Sequence, residues 1–220
     1  MIVDDRIVAY IHSLEHPNSE ILETIEKRAH LDRVPIIRKE MESFLRVMLS
    51  IKKPKRILEL GTAVGYSAIL MSECLQEDAK IVTIENYDKR IPIAKENIKK
   101  AGKENVIELL EGDAMEIMPA LDEKQFDFVF MDAAKAQYIN FLPEVIRLMK
   151  DGAVLVTDNV LQEGDLIESK YVVRRRDRTI HKRMRQYLEM IKNDPRLETT
   201  IVPIGDGITM SVLKSDWRAK

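Results

Sequence analysis

Cysteine is nearly missing from this chain: Cys74 stands alone in 220 residues. No internal disulfide can form, and no cysteine cluster is available for zinc. Cys74 follows Met71 in an apolar helical pattern and is expected in the core. Long apolar runs are also lacking; none approaches the roughly 20 residues that a membrane-spanning helix needs. The N-terminal stretch has no cationic region followed by an apolar one, and it carries Asp4 and Asp5, so no signal peptide is expected. Internal repeats and low-complexity tracts are absent. What remains is 45% hydrophobic and 33% charged, a balance that argues against disorder and against a membrane protein. One globular domain with a substantial core is expected, in a soluble cytoplasmic protein.

Residues 1–51 read as helices, the clearest being the stripe Ile37, Met41, Phe44, Leu45, Met48 and Leu49 at i, i+3, i+4, i+7 spacing. Ile2, Val3, Ile7, Val8 and Ile11 form an earlier apolar set. From Arg56 the pattern alternates. Strands are predicted at 56–60, 80–85, 105–110, 126–131 and 153–157, with helices at 65–75, 88–102, 114–119 and 138–149. Strands spaced by helices predict right-handed crossovers and a mainly parallel sheet covered on both faces. A helix at about 177–193 follows, then strands at 197–203 and 208–214 joined by Gly205-Asp206-Gly207. The α/β core thus runs over 55–214, with a basic insertion near 165–185.

The segment Arg56-Ile57-Leu58-Glu59-Leu60-Gly61-Thr62-Ala63-Val64-Gly65-Tyr66-Ser67 reads as a buried strand delivering a ligand loop to a helix N-terminus. Glu85 closes the second strand, where a carboxylate can accept from both ribose hydroxyls of a nucleoside. Asp113, after the third, can accept from an exocyclic amine, although by itself it reads equally well as a helix cap. A dinucleotide fingerprint needs Gly-x-Gly-x-x-Gly, but position 63 is Ala and the spacing is Gly-x-x-x-Gly. A NAD-dependent dehydrogenase is therefore disfavoured. Glu59 would repel phosphate and suit a cationic amino-acid group, so S-adenosylmethionine fits better.

Asp132 ends the fourth strand, and Asp158 and Asn159 end the fifth. In an open parallel sheet these ends lie together beside the first loop. Two carboxylates and an amide oxygen form a hard donor set suited to Mg²⁺ or another divalent cation. Taken singly, each acid reads as a cap or turn former.

With these motifs together, the chain resembles the cation-dependent catechol and caffeoyl-CoA O-methyltransferases. The likeness rests on Glu-Leu-Gly-Thr-x-x-Gly-Tyr-Ser at 59–67, Asp-x-x-Lys-x-x-Tyr at 132–138, Asp158-Asn159-Val160, and Pro203-Ile204-Gly205-Asp206-Gly207. It implies a single methyltransferase domain over 1–220, of α/β class. The expected fold is a Rossmann-like seven-stranded S-adenosylmethionine-dependent methyltransferase sheet with N-terminal helices, usually as a homodimer. It further implies Asp132, Asp158 and Asn159 as metal ligands and Lys135 as the base, against the plainer view that Lys135 only orients substrate. Gly61, Gly65, Ser67, Glu85, Asp113 and Ala114 become cofactor-binding positions with Glu59, joined by Ile37. Asp132 is placed near the methionine ammonium.

One feature is not generic. From Lys170 to Arg185 the chain carries eight bases against Asp177, a local charge of +7 in a molecule of net −2. Lys170, Arg174, Arg175, Arg176, Arg178, Lys182 and Arg183 are candidate RNA contacts, because arginine suits bidentate phosphate contact. The bland reading is a solvated helix face, and three consecutive arginines cannot all point one way. Ala133-Ala134 leaves room for a base flipped from a polymer. The chain is similar here to the bacterial tRNA 5-hydroxyuridine methyltransferases of this family. That likeness implies tRNA as partner and 5-methoxyuridine at the anticodon wobble position as product, with no membrane partner. The alternatives are a small-molecule catechol or caffeoyl-CoA-type enzyme, and a non-catalytic RNA-binding protein on the same fold.

Overall fold

The computed structural model describes residues 2–169 and 171–215. Three helices lead: α1 (Asp5–Leu14), α2 (Glu20–Leu31) and α3 (Lys39–Lys52). There follow β1 (Arg56–Leu60), α4 (Tyr66–Glu73), β2 (Lys80–Glu85), α5 (Ile91–Lys100), β3 (Ile107–Glu111), α6 (Ala114–Ile117), β4 (Phe126–Met131), α7 (Tyr138–Leu148) and β5 (Met149–Thr157). The chain finishes with α8 (Arg178–Asn193), β6 (Leu197–Val202) and β7 (Ile208–Leu213). One seven-stranded sheet has the order β3-β2-β1-β4-β5-β7-β6. β1 to β5 pair in parallel, while β7 runs antiparallel to both β5 and β6.

Side-chain alternation sorts the sheet into two apolar faces. Leu58, Leu60, Val129, Met131 and Leu155 meet α7 and α8 through Tyr138, Leu142, Val145, Met184 and Tyr187. Ile57, Phe128, Phe130 and Val156 meet Met41 and Leu45 of α3 and the apolar run 68–71 of α4. α4 is buried on every side, which explains why its sequence shows no polar face. Because the chain winds outward from β1 through β2 and β3, then returns to β4 on the other side, a crevice opens between the carboxyl ends of β1 and β4.

Two expectations need correction, and one helix lies apart from the core. α1 buries none of its side chains; Ile7 is 53% exposed and Tyr10 66%, so the first apolar set does not join this core. β5 begins at Met149, not 153, because the chain pairs Met149 with Phe126, shifts register, and resumes with Val154 opposite Phe128. Cys74 is only partly buried at the end of α4, its thiol 3.6 Å from the Leu70 carbonyl oxygen. Among the described residues, no helix is long and apolar enough to cross a membrane.

Candidate active site

A cavity of 700 Å³ fills the crevice, within the usual range for a small-molecule site. Ile37, Gly61, Ser67, Glu85, Asp113, Ala114, Asp132, Lys135, Asp158 and Asn159 all line it. Residues scattered over more than a hundred positions thus converge because parallel strands deliver successive loops to one edge.

The first loop is shaped by close contact. Gly61 has φ +99°, and a Cβ there would lie 2.1 Å from the Asp132 backbone oxygen. Only glycine lets the turn after β1 press on the end of β4. Glu85 organises the next turn: its carboxylate accepts from the N–H groups of Ala63 at 2.7 Å, Asn86 at 3.0 Å and Tyr87 at 2.9 Å. A carboxylate has about four lone-pair positions, so capacity remains for a hydroxyl ligand. Asp113 is indeed a helix cap, accepting from the Met115 N–H at 2.8 Å, and it reaches the cavity as well.

Glu59 and Gly65 are corrected from cofactor contacts to supports. Glu59 is fully buried and absent from the cavity wall, because alternation along β1 turns it toward α4. It accepts from the Ser67 and Thr83 hydroxyls, each at 2.5 Å. Burial pushes its carboxyl up to about 7, a rise that Glu85 reinforces and the two hydroxyls oppose. Gly65 starts α4 and faces α5, where a Cβ would meet the Ala94 oxygen at 3.5 Å.

Asp158 is buried and Asp132 half-buried at neighbouring strand ends. Desolvation raises both carboxyls. Glu59 adds to the rise at Asp132, Asp132 and Asp206 add to it at Asp158, and Lys135 opposes it at both. Asp158 Oδ1 accepts from the Asn159 N–H at 2.7 Å, and its carbonyl oxygen accepts from the Tyr138 hydroxyl at 3.2 Å. Lys135 opens a short 3₁₀ turn before α7, its ammonium 3.6 Å from Asp206 Oδ2. Among the described residues, no group of three or more His, Cys, Asp or Glu side chains forms a metal cluster. The oxygen set here is two carboxylates with one amide.

The basic segment divides. Arg174, Arg175, Arg176 and Lys182 are exposed. Arg178 donates to the Val173 carbonyl at 3.2 Å, and Arg183 donates to Ala136 in the Lys135 turn at 2.8 Å. These two brace backbone, and Lys170 lies outside the described residues. Sequence reasoning also missed a partly buried network under the first loop. The Tyr66 hydroxyl donates to Glu42 at 2.7 Å, Asn18 donates to the same carboxylate at 2.7 Å, and Arg46 donates to Asn18 at 2.9 Å. Glu42 in an otherwise apolar α3 stripe was its one visible signal.

A mainly parallel sheet of this order, with a glycine turn after β1 and acids at the ends of β2, β4 and β5, has the fold of the S-adenosylmethionine-dependent methyltransferases. Residues 11–214 match the O-methyltransferase family model, and the chain belongs to that family. It is 34% identical over 183 residues to the caffeoyl-CoA O-methyltransferase of Medicago sativa, covering 76% of this chain and 70% of that one. A structure described as a candidate caffeoyl-CoA O-methyltransferase from Staphylococcus aureus superposes with a TM-score of 0.88 at 31% identity, covering 96% and 100% of the two chains. The O-methyltransferase from Bacillus cereus, solved in complex with SAH, gives 0.84 at 26% identity over 95% and 97%.

Proposed function

We propose that this chain transfers the methyl group of S-adenosylmethionine to one hydroxyl of an acceptor that carries a second, neighbouring oxygen, with the help of a divalent cation such as Mg²⁺. The observation that carries the reading is the pair Asp132, half-buried, and Asp158, buried, on the wall that also holds Glu85 and Lys135. Two like charges withdrawn from water are costly unless a cation compensates them. The donor chemistry suits a hard ion held by Asp132, Asp158 and Asn159. When bound, S-adenosylmethionine supplies the methyl group, and the cation lowers the pKa of the acceptor hydroxyl.

The chain's own residues do the rest. Glu85 offers its spare lone pairs to the ribose hydroxyls, and Asp113 and Ala114 bound the base end of the pocket. Ser67, held by Glu59, presents a hydroxyl to the methionine end. Lys135, in its neutral amine form, takes the proton from the acceptor hydroxyl. Much of the rate comes from holding donor and acceptor in line within a space that excludes bulk water.

The relatives' names favour a caffeoyl-CoA-type acceptor, with a small catechol as the simplest molecule of that chemistry. A second reading is 5-hydroxyuridine in the tRNA anticodon, whose O5 and O4 form a catechol-like pair. The exposed Arg174, Arg175, Arg176 and Lys182, together with Ala133 and Ala134 on the cavity wall, favour it. The intact set of Asp132, Lys135, Asp158 and Asn159 speaks against a non-catalytic RNA-binding role. The outward apolar residues of α1, Ile7, Tyr10 and Leu14, support pairing with a second copy.

Purified protein, labelled methyl donor, Mg²⁺ and three acceptors decide the matter: catechol, caffeoyl-CoA, and tRNA lacking 5-methoxyuridine. Turnover on tRNA alone selects the tRNA reading, and turnover on catechol equal to or above it selects the small-molecule one. No transfer to any of them would remove O-methyl transfer to such acceptors. In the tRNA case, the triple change of Arg174, Arg175 and Arg176 to Ser weakens binding and flattens its salt dependence.

A further inference from the structure

The motif Pro203-Ile204-Gly205-Asp206-Gly207 has no task in the chemistry above. It joins β6 to β7, and because β7 is the antiparallel neighbour of β5, the turn arrives beside the loop leaving β5. The two loops are stitched together. The Val160 N–H donates to the Gly207 oxygen at 2.8 Å and the Leu161 N–H to the Asp206 oxygen at 3.0 Å. The Glu163 N–H donates to Asp206 Oδ1. Gly207 has φ +80°, and a Cβ there would fall 2.3 Å from Leu161 Cγ, so a larger residue would push the loops apart.

The loop so held is conformationally costly. Asn159, Gln162 and Glu163 have φ of 58°, 50° and 55°, and such left-handed residues cost about 1 kcal/mol or more each unless their surroundings impose them. Asp206 is 6% exposed. A carboxylate this buried needs partners, and it has one on each side: the Glu163 amide at Oδ1, and the Lys135 ammonium 3.6 Å from Oδ2. The loop carrying Asp158 and Asn159 and the turn carrying Lys135 come from different crossovers, and this carboxylate links them.

We propose that Asp206 is a positioning residue: one oxygen pins the 158–164 loop so that Asp158 and Asn159 face the cavity, while the other holds Lys135 toward the same space. The inference rests on the roles given above to Asp158, Asn159 and Lys135. Its loop half can be read without any turnover.

Two variants separate the halves. Asp206→Asn keeps an oxygen for the Glu163 amide but removes the charge facing Lys135; Asp206→Ala removes both. Hydrogen exchange of the 159–164 amides, binding of Mn²⁺ alone by electron paramagnetic resonance, and methyl transfer to catechol are the readouts. For Asp206→Asn, exchange and Mn²⁺ affinity stay within about twofold of the parent. Its kcat falls about tenfold while KM for the methyl donor is unchanged, a split expected when a group near the reaction is misplaced. For Asp206→Ala, loop exchange quickens at least about tenfold, and Mn²⁺ affinity drops about tenfold, as when support behind a ligand is lost. Parent-like exchange and Mn²⁺ binding in Asp206→Ala would overturn the loop role. Parent-like kcat in Asp206→Asn would overturn the Lys135 role. If the parent itself binds no Mn²⁺, the cation reading fails, and the exchange comparison still decides whether Asp206 holds the loop.

Discussion

Asp132, half-buried, and Asp158, buried, end neighbouring strands with Lys135 as the cation acting on both, whereas Arg174, Arg175 and Arg176 stand in solvent a short distance along the chain. Desolvation raises both carboxyls, Asp132 adds to the rise at Asp158, and the pair persists only if something compensates it. The arginines stay charged in water at little cost, and the contact of Arg176 with Asp177 at 3.4 Å is exposed and contributes little. Between the extremes lie Arg178, Arg183 and Arg185, whose guanidinium groups donate to the carbonyls of Val173, Ala136 and Leu166. A charge count along the sequence therefore overstates the free basic surface, and it hides the more telling fact that carboxylates are buried where the loops converge.

That contrast can be broken or sharpened. Asp158→Ala is expected to lower methyl transfer at least about a thousandfold, as loss of a cation ligand removes several kcal/mol of transition-state stabilisation. Methyl-donor affinity by calorimetry should stay near that of the parent; retained activity would strip the pair of its purpose. Lys135→Met should lower kcat about a hundredfold if the amine takes the proton, and only a few-fold if it merely orients substrate.

Glu59 tests burial alone. Its carboxyl sits near 7 in the folded protein against an ordinary 4.5, so the folded state binds the proton more tightly than the unfolded one. Stability is therefore lost as pH rises from about 4.5 to about 7, and below that window both states are protonated and nothing is lost. Glu59→Gln removes this dependence, and at pH 8 it should gain on the parent by roughly 1–3 kcal/mol. Urea unfolding at pH 5 and pH 8 reads the difference; an equal change at both values would deny the shift. The smallest effect distinguishes the arginines. Arg183→Ala should cost about 1 kcal/mol for the lost bond to Ala136, while Arg175→Ala should fall within about 0.5 kcal/mol of the parent. Equal costs would erase the division of the basic segment.

Much of this was legible from pattern. The runs 56–60, 80–85 and 126–131 became strands with those bounds because a central parallel strand is a short apolar stretch closed by turn residues. The acids Glu85, Asp132 and Asp158 were legible for the same reason, each falling where a strand must end. Glu59 was misplaced because a linear motif does not say which face of the sheet a residue takes. α1 is legible as a helix, but its apolar spacing does not say what covers it, and that face stays outside this core. Arg183 was read as surface because nothing local reveals the carbonyl waiting in the Lys135 turn.

Sequence by itself determined the α/β alternation, the glycine turn and the identities of the acids, since these depend on local periodicity and backbone preference. Only the tertiary structure decided that Glu59 stands behind Ser67, that Arg183 is a brace, and that Asp206 bridges two crossovers. Those relations join residues tens of positions apart, and they arise from strand order and packing, which no local pattern encodes.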